Sequence, residues 1–376
     1  MRVLFASTGG DGHVLPLLPL ARAFDALVGD VAFAAPANHR ERIEGTGLHF
    51  EEAGPTIQDL EPQLDAHREA MALVLPAERR PAAFTGRFAE IEAPRRIDDL
   101  RALVERLQPD MLIYESADLA AALVGTAADV RTVNHAFGLP IPEAALRRAA
   151  EAMAPHWRTA GLEPDERAGA YRGEYVTICP PSFLADLADA PPRMHPLRPA
   201  DAAPSTERDS GRPLVYATLG TSFNVLDTFR VLLTAVDGMD CDVTMTVGRN
   251  RDPRDLEPVP ANVVVEQYIP QAEILSSCDA VISHAGSGTL FASLAHGLPL
   301  VLLPMGADQF ENAAMGRSLG FGEAILPGDF TADRVRDALV RILDEPSYGA
   351  AARSIADEIA AMPDATSVAT ELAAQR

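Results

Sequence analysis

Short apolar runs alternate with longer amphipathic stretches along the whole 376-residue chain. In the first half, "RVLFA", "DVAFAAP", "MLIYES", "RTVNHA" and "EYVTICPP" read as strands, being short, β-branched or aromatic, and bounded by turn residues. Between them, "VLPLLPLARAFDAL" and "IDDLRALVERLQ" carry apolar residues at helical spacing. The pattern restarts with "PLVYATLG", "DVTMTVG", "VVVEQYI", "AVISHAG" and "LPLVLLPM". Strands that are apolar throughout are expected in parallel sheets covered on both faces by helices. The pattern therefore predicts two doubly wound α/β domains. The stretch "ADAPPRMHPLRPADAAPSTERDSGRP" lacks periodicity and reads as a linker, which puts the boundary near Asp201 and the domains at 1–200 and 201–376. The tail reads as helical apart from Pro363, and its last helix is a candidate to pack back on the first domain.

Residues 55–94 break the alternation. They are read as helices and loops over the mouth of the first domain, either a surface excursion or a wall for an apolar ligand.

Composition narrows the function. No apolar run approaches the roughly 18–20 residues of a membrane helix, and the start lacks the plan of a signal peptide. A cytoplasmic protein without membrane insertion is expected. The net charge of -22 disfavours nucleic acid as a partner. Lysine is absent and all 32 basic residues are arginines, which excludes Schiff-base chemistry and Walker-type nucleotide binding. Cys179, Cys241 and Cys278 stand singly, without disulfide or metal spacing.

Two strand ends carry candidate chemistry. The first, "STGGDGHVLP", offers Gly9, Gly10 and Gly12, but their spacing is not that of a dinucleotide fingerprint. What it places at the strand-to-helix handover is a titratable side chain, His13. The second is "ISHAGSGTLFASLAHGLPLVLLPMGADQFENA". Here a buried strand ends at His284, and Gly286 to Thr289 open a helix whose N–H groups and dipole suit an anion. Gly286 and Gly288 allow close approach, and Ser287 and Thr289 add hydroxyl donors. This reads as a diphosphate site built without lysine or a metal. The next strand delivers Asp308 and Gln309 to the same sheet edge, in reach of sugar hydroxyls, with helix capping as the ordinary alternative for such residues.

These stretches resemble the GT-B-fold, family-1 nucleotide-sugar glycosyltransferases, particularly bacterial enzymes that decorate antibiotics such as enediynes and polyketides. The family's His-Gly-Gly-x-Gly-Thr, Gly-Leu/Val-Pro and Asp-Gln-x-x-Asn-Ala elements stand here as "HAGSGT", "HGLPLVLLP" and "GADQFENA". The likeness continues through "GGDGHVLPLLPLA", "GLHFEEAG", "RPLVYATLGT" and "YIPQAEIL". It implies two Rossmann-like domains facing a central cleft, an acceptor domain followed by a donor domain. Carried over, it implies that His284, Gly286, Ser287, Gly288 and Thr289 surround the diphosphate, with Gly220 and Thr221 facing it. Tyr268 takes the base-stacking position, beside Ile269 and Gln271. Asp308 and Gln309 would bind the sugar. Ala292 stands where uridine-sugar enzymes commonly place a ribose-binding glutamate, which favours a thymidine diphosphate deoxysugar as donor.

The resemblance also makes His13 the general base. An attacking hydroxyl needs a proton acceptor, and a neutral imidazole suits that role near neutral pH. The family's orienting aspartate is replaced by Glu115, with Asp118 in reserve. Together these imply an inverting, metal-independent transferase without a cofactor, its partners a nucleotide sugar and an apolar aglycone. A sugar-nucleotide epimerase and a catalytically silent sugar-nucleotide-binding protein are the competing readings. Oligomeric state stays open, a homodimer being one candidate.

Overall fold

A computed structural model describes residues 1–74, 76–185, 187, 191–199, 211–220 and 225–375. The chain divides into two compact units: Met1–Cys179 with Asp186–Leu197 and Pro363–Arg376, and Pro180–Ala185 with Arg198–Met362.

The first unit is built on seven parallel strands: β1 (Val3–Ala6), β2 (Val31–Ala35), β3 (His49–Glu52), β4 (Met111–Glu115), β5 (Arg131–His135), β6 (Glu174–Thr177) and β7 (Met194–Pro196). Their spatial order is β3-β2-β1-β4-β5-β6-β7. Val3, Leu4, Phe5 and Ala6 of β1 are fully buried, as expected for a strand covered on both faces. Helix Ile97–Leu107 turns Ile97, Leu100, Leu103 and Val104 inward, its apolar stripe at helical spacing. Helix Leu119–Ala127 is apolar nearly all round and buried to match. The sheet order reverses direction between β1 and β4, which pair directly. Loops leaving such a switch point diverge and leave room for a ligand.

The second unit repeats the plan. It contains β8 (Leu214–Thr218), β9 (Asp242–Thr246), β10 (Val263–Glu266), β11 (Ala280–Ser283), β12 (Leu300–Leu302) and β13 (Gly322–Ala324), in the order β10-β9-β8-β11-β12-β13. Here the reversal lies between β8 and β11, and β11 runs into helix Ser287–Ala295.

Three edge strands lack the apolar pattern of the others. β3 is "HFEE", β7 is "MHP" and β13 is "GEA". They are too short and polar for a period of two to register, and become strands because a neighbour supplies the hydrogen bonds. β7 lies inside the expected linker, whose remaining core, with the boundary at Asp201, falls outside the described residues. The units also depart from a single cut at residue 200. Residues 180–185 join the second unit, where Phe183 packs on the rings of Phe291 and Phe321. Helix Ala365–Ala374 joins the first unit, packing on helix Leu18–Val28 and receiving the Arg131 guanidinium on the Leu372 carbonyl at 2.7 Å. Residues 55–94 form helices Ile57–Ala72 and Pro76–Phe84 and a π-helical stretch, Thr85–Glu92. Among the described residues, no helix is long and apolar enough to cross a membrane.

Candidate active site

In the first unit, β1 and β4 end side by side, and each supplies one member of a pair. His13 sits in the short helical turn Asp11–Val14 that follows β1, and Glu115 is the last residue of β4. His13 Nδ1 lies 3.1 Å from Glu115 Oε2, an ion-pair approach off the line of a straight hydrogen bond. Glu115 is fully buried, and its oxygens are further fixed by neighbours. The Thr8 hydroxyl donates to Oε1 at 2.5 Å, and the Ala117 N–H donates to Oε2 at 2.7 Å. Burial by itself would raise the carboxyl's pKa, but His13, Thr8 and Ala117 outweigh it and bring it down to about 2. Glu115 is therefore a fixed anion behind the imidazole, and Nε2 is the nitrogen left to take a proton.

Asp118, the reserve partner, is engaged elsewhere. Its Oδ2 accepts from Arg96 Nη2 at 2.6 Å, both side chains being buried, and its Oδ1 caps the following helix through the Ala121 N–H at 3.2 Å. Arg96 also donates to the Ala53 carbonyl at 2.7 Å. Around His13 the neighbours are aromatic. Phe137 lies 4.5 Å and Phe88 5.3 Å from its ring centroid, and Phe84 continues the row at 5.1 Å from Phe88. Phe84 and Phe88 come from the 55–94 segment, which thus walls the histidine. His135 and Trp157 are buried, and burial holds the His135 imidazole down to about 4.

In the second unit the imidazole of His284 is held between two backbone segments. A Cβ on Gly220 would come within 2.5 Å of its Cε1, and one on Gly286 within 2.4 Å of its Nε2. Gly220 also has φ +72, a conformation that favours glycine. Burial lowers the His284 pKa to about 4, with Asp308 pulling weakly the other way, so the ring is neutral at physiological pH. Gly286 caps helix Ser287–Ala295, and a Cβ on Gly288 would meet nothing within 4 Å. The helix N-terminus is thus sterically open to an anion. Ala285, where the family pattern has glycine, adopts φ +64. That conformation costs an alanine about 1 kcal/mol.

Several of the expected donor-site residues have partners within the protein. Gln309, expected at the sugar, is only 2% exposed, and its Oε1 accepts from the N–H groups of Met305 (2.8 Å) and Gly306 (3.0 Å). It ties down the turn before the helix because those two amides have no strand partner. The Ser287 hydroxyl, expected to face phosphate, donates to Asp308 Oδ2 at 2.5 Å. Asp308 stands at the N-terminus of helix Gln309–Ser318 without capping it through its side chain. Thr289 Oγ1 accepts from Gln271 Nε2 at 2.8 Å, which links two expected donor-site residues. Tyr268 is 47% exposed, with the Arg249 guanidinium 3.6 Å from its ring centroid, and Ile269 beside it is half-buried. Thr221 lies outside the described residues.

Residues 230–375 match the erythromycin biosynthesis protein CIII-like C-terminal domain family. Across its whole length the chain is 29% identical to L-demethylnoviosyl transferase of Streptomyces niveus, covering 98% of that protein. It is also 29% identical to elloramycin glycosyltransferase ElmGT of Streptomyces olivaceus over 99% of this chain and 97% of the relative. Among solved structures, the glycosyltransferase SsfS6 of Streptomyces sp. SF2575, complexed with thymidine diphosphate, is 25% identical. It covers 100% of this chain and 99% of that one, with a TM-score of 0.80. The glycosyltransferase SnogD of Streptomyces nogalater, 26% identical, aligns over the same shares with a TM-score of 0.76. Over its whole length the chain resembles the family-1 GT-B glycosyltransferases, and its two parallel-sheet units have their fold. It is a glycosyltransferase, and the relatives it resembles are named for antibiotic pathways.

Two residues of this glycosyltransferase's two sites have no signal in the sequence, and a third, Asn312, stands one turn beyond the expected sugar-binding pair. Arg96, which claims Asp118, precedes an amphipathic helix and has no local signal of its role. Phe88 lies in a stretch without periodicity. Asn312 was visible in "DQFENA" but without a role, and its side chain proves central to the donor loops.

Proposed function

We propose that this glycosyltransferase moves a deoxysugar from a thymidine diphosphate donor to a hydroxyl of an apolar natural-product aglycone, with inversion and with His13 as general base. The observation that carries the reading is the contact between His13 and Glu115, a buried carboxylate facing Nδ1 at the end of the neighbouring strand. Nε2 takes the acceptor's proton as its oxygen attacks the anomeric carbon. The bond from that carbon to the diphosphate breaks, and the leaving group departs with the electron pair. Helix Ser287–Ala295 meets the charge that grows on the diphosphate through its N-terminal amides, with neutral His284 alongside. One in-line displacement inverts the centre.

Phe88 and Phe137 beside His13 support an apolar acceptor, since they exclude water around the base. Ala292 in place of a ribose-binding carboxylate favours a donor without a 2′-hydroxyl, and SsfS6 was solved with thymidine diphosphate. We place the reaction in the cytoplasm, where nucleotide sugars are made.

Turnover of variants with a dTDP-deoxysugar and a phenolic acceptor tests the reading. His13→Ala should lower kcat by about 10²–10⁴-fold, the usual effect of losing a positioned base. Glu115→Gln should cost less, because the imidazole stays. The anomeric configuration of the product, read by its NMR coupling, should be opposite to the donor's. Near wild-type turnover by His13→Ala, or retained configuration, would overturn the mechanism.

A further inference from the structure

The Asn312 carboxamide binds across the two loops of the donor site. Its Nδ2 donates to the Ala285 carbonyl at 2.8 Å and lies 3.0 Å from Ser287 Oγ and 3.2 Å from Asp308 Oδ2. Ser287 completes a triangle by donating its hydroxyl to the same Asp308 oxygen at 2.5 Å. Asn312 is fully buried, Ser287 nearly so, and Asp308 is half-exposed at the rim. One oxygen of Asp308 thus takes two protein donors, and among the described residues its Oδ1 takes none.

We propose that Asn312 and Ser287 are positioning residues that hold Asp308 with Oδ1 aimed at the donor sugar. They tie that aim to the turn that binds the diphosphate. This rests on the reading that Asp308 meets the sugar. Three features set the arrangement apart from ordinary loop packing. The carboxylate does not cap its own helix, which is the usual use of an aspartate there. Both donors converge on one oxygen, so the carboxylate plane is fixed and the second oxygen keeps its full acceptor strength. Both are also tied to the start of the anion-binding helix: Ser287 is its first residue, and Asn312, from the helix that Asp308 precedes, donates to the carbonyl of Ala285 in the strained turn before it. A shift of that turn on diphosphate binding is passed to Asp308 through the Ser287 hydroxyl and the Asn312 carboxamide. Nucleotide binding and sugar recognition are therefore coupled. A carboxylate freed from these donors would rotate, and its bond to a sugar hydroxyl would lose alignment.

Calorimetry with thymidine diphosphate and with dTDP-glucose, the uridine pair run alongside, reads the coupling as the ratio of the two affinities. Asp308→Ala should abolish the advantage of the nucleotide sugar over the nucleotide. Ser287→Ala and Asn312→Ala should each weaken dTDP-glucose by roughly tenfold, the effect of one misaligned hydrogen bond, while thymidine diphosphate binds within about twofold of wild type. Ser287→Thr, which keeps the hydroxyl, should restore the ratio. Because Asn312 is buried, Ser287→Ala is the variant that decides if Asn312→Ala fails to fold. An equal loss for both ligands in Ser287→Ala would assign the hydroxyl to the phosphates and overturn the proposal. So would an unchanged ratio in Ser287→Ala while Asp308→Ala loses it, and in that case Asp308 keeps its place at the sugar. An unchanged ratio in Asp308→Ala removes the underlying reading, and the inference with it.

Discussion

Arg96 and Asp118 form a buried ion pair, Nη2 to Oδ2 at 2.6 Å, three residues along the chain from the carboxylate that faces His13. Breaking such a pair by removing one partner strands a charge in the interior, at a cost of about 3–5 kcal/mol. Arg96→Met should lower the unfolding free energy by about that amount. Arg96→Met combined with Asp118→Leu should recover a substantial part of it. Denaturant melts of the four proteins check the cycle, and additive losses would show that the pair is not coupled.

Gly286 makes room for the His284 ring. Its φ is not in the left-handed region, so Gly286→Ala tests the contact alone, without backbone strain. The new methyl should displace the imidazole, cost about 1–3 kcal/mol of stability as an overpacked site does, and weaken thymidine diphosphate binding. In a His284→Ala background the same substitution should cost little stability. An equal cost in both backgrounds would place the clash elsewhere.

Stability should fall with acid in two stages. The pKa values of His135 and His284 are lowered to about 4 from 6.5, first by burial. The unfolded chain takes up those protons first, so their contribution is present above about pH 6.5 and is lost as pH falls to about 4. Glu115, lowered to about 2 from 4.5, contributes above about pH 4.5, and that part is lost as pH falls towards 2. Urea melts from pH 7 to pH 3 should show both slopes. His135→Leu should flatten the first and Glu115→Gln the second.

Tyr268 is expected to stack on the nucleobase, and Arg249 lies over its ring. Base-on-aromatic stacking contributes about 1–3 kcal/mol, so Tyr268→Ala should weaken thymidine diphosphate roughly tenfold or more, and Tyr268→Trp should not. Arg249→Ala should leave the affinity equal or tighter, because a competing cation leaves the ring. A loss as large as that of Tyr268→Ala would put the guanidinium on the nucleotide.

Transfer is expected to proceed without a divalent cation, since a helix N-terminus of this kind can meet a diphosphate's charge with its own amides. Initial rates should be unchanged in a strong chelator. A collapse reversed only by magnesium or manganese would refute this.

The apolar runs of this chain determined its two sheets. Strands such as "VLFA" and "LVYAT" are buried on both faces, and burial of that kind demands apolar residues at every position. The glycine-rich strand ends were legible for a related reason. His13 and His284 sit where a strand hands over to a helix, and Gly286 is there because any side chain would strike His284. The resemblance put Glu115 opposite His13 with Asp118 in reserve, and tertiary structure shows what takes Asp118 away. Both could reach the imidazole from the end of β4, but Arg96, 22 residues before Asp118, draws that aspartate into its own pair. Tertiary structure likewise turned Gln309 inward to two unpaired amides and gave the Ser287 hydroxyl to Asp308. A side chain's partner is set by distances across the fold and by which backbone groups remain unsatisfied, and neither is written in the local pattern of apolar and polar residues.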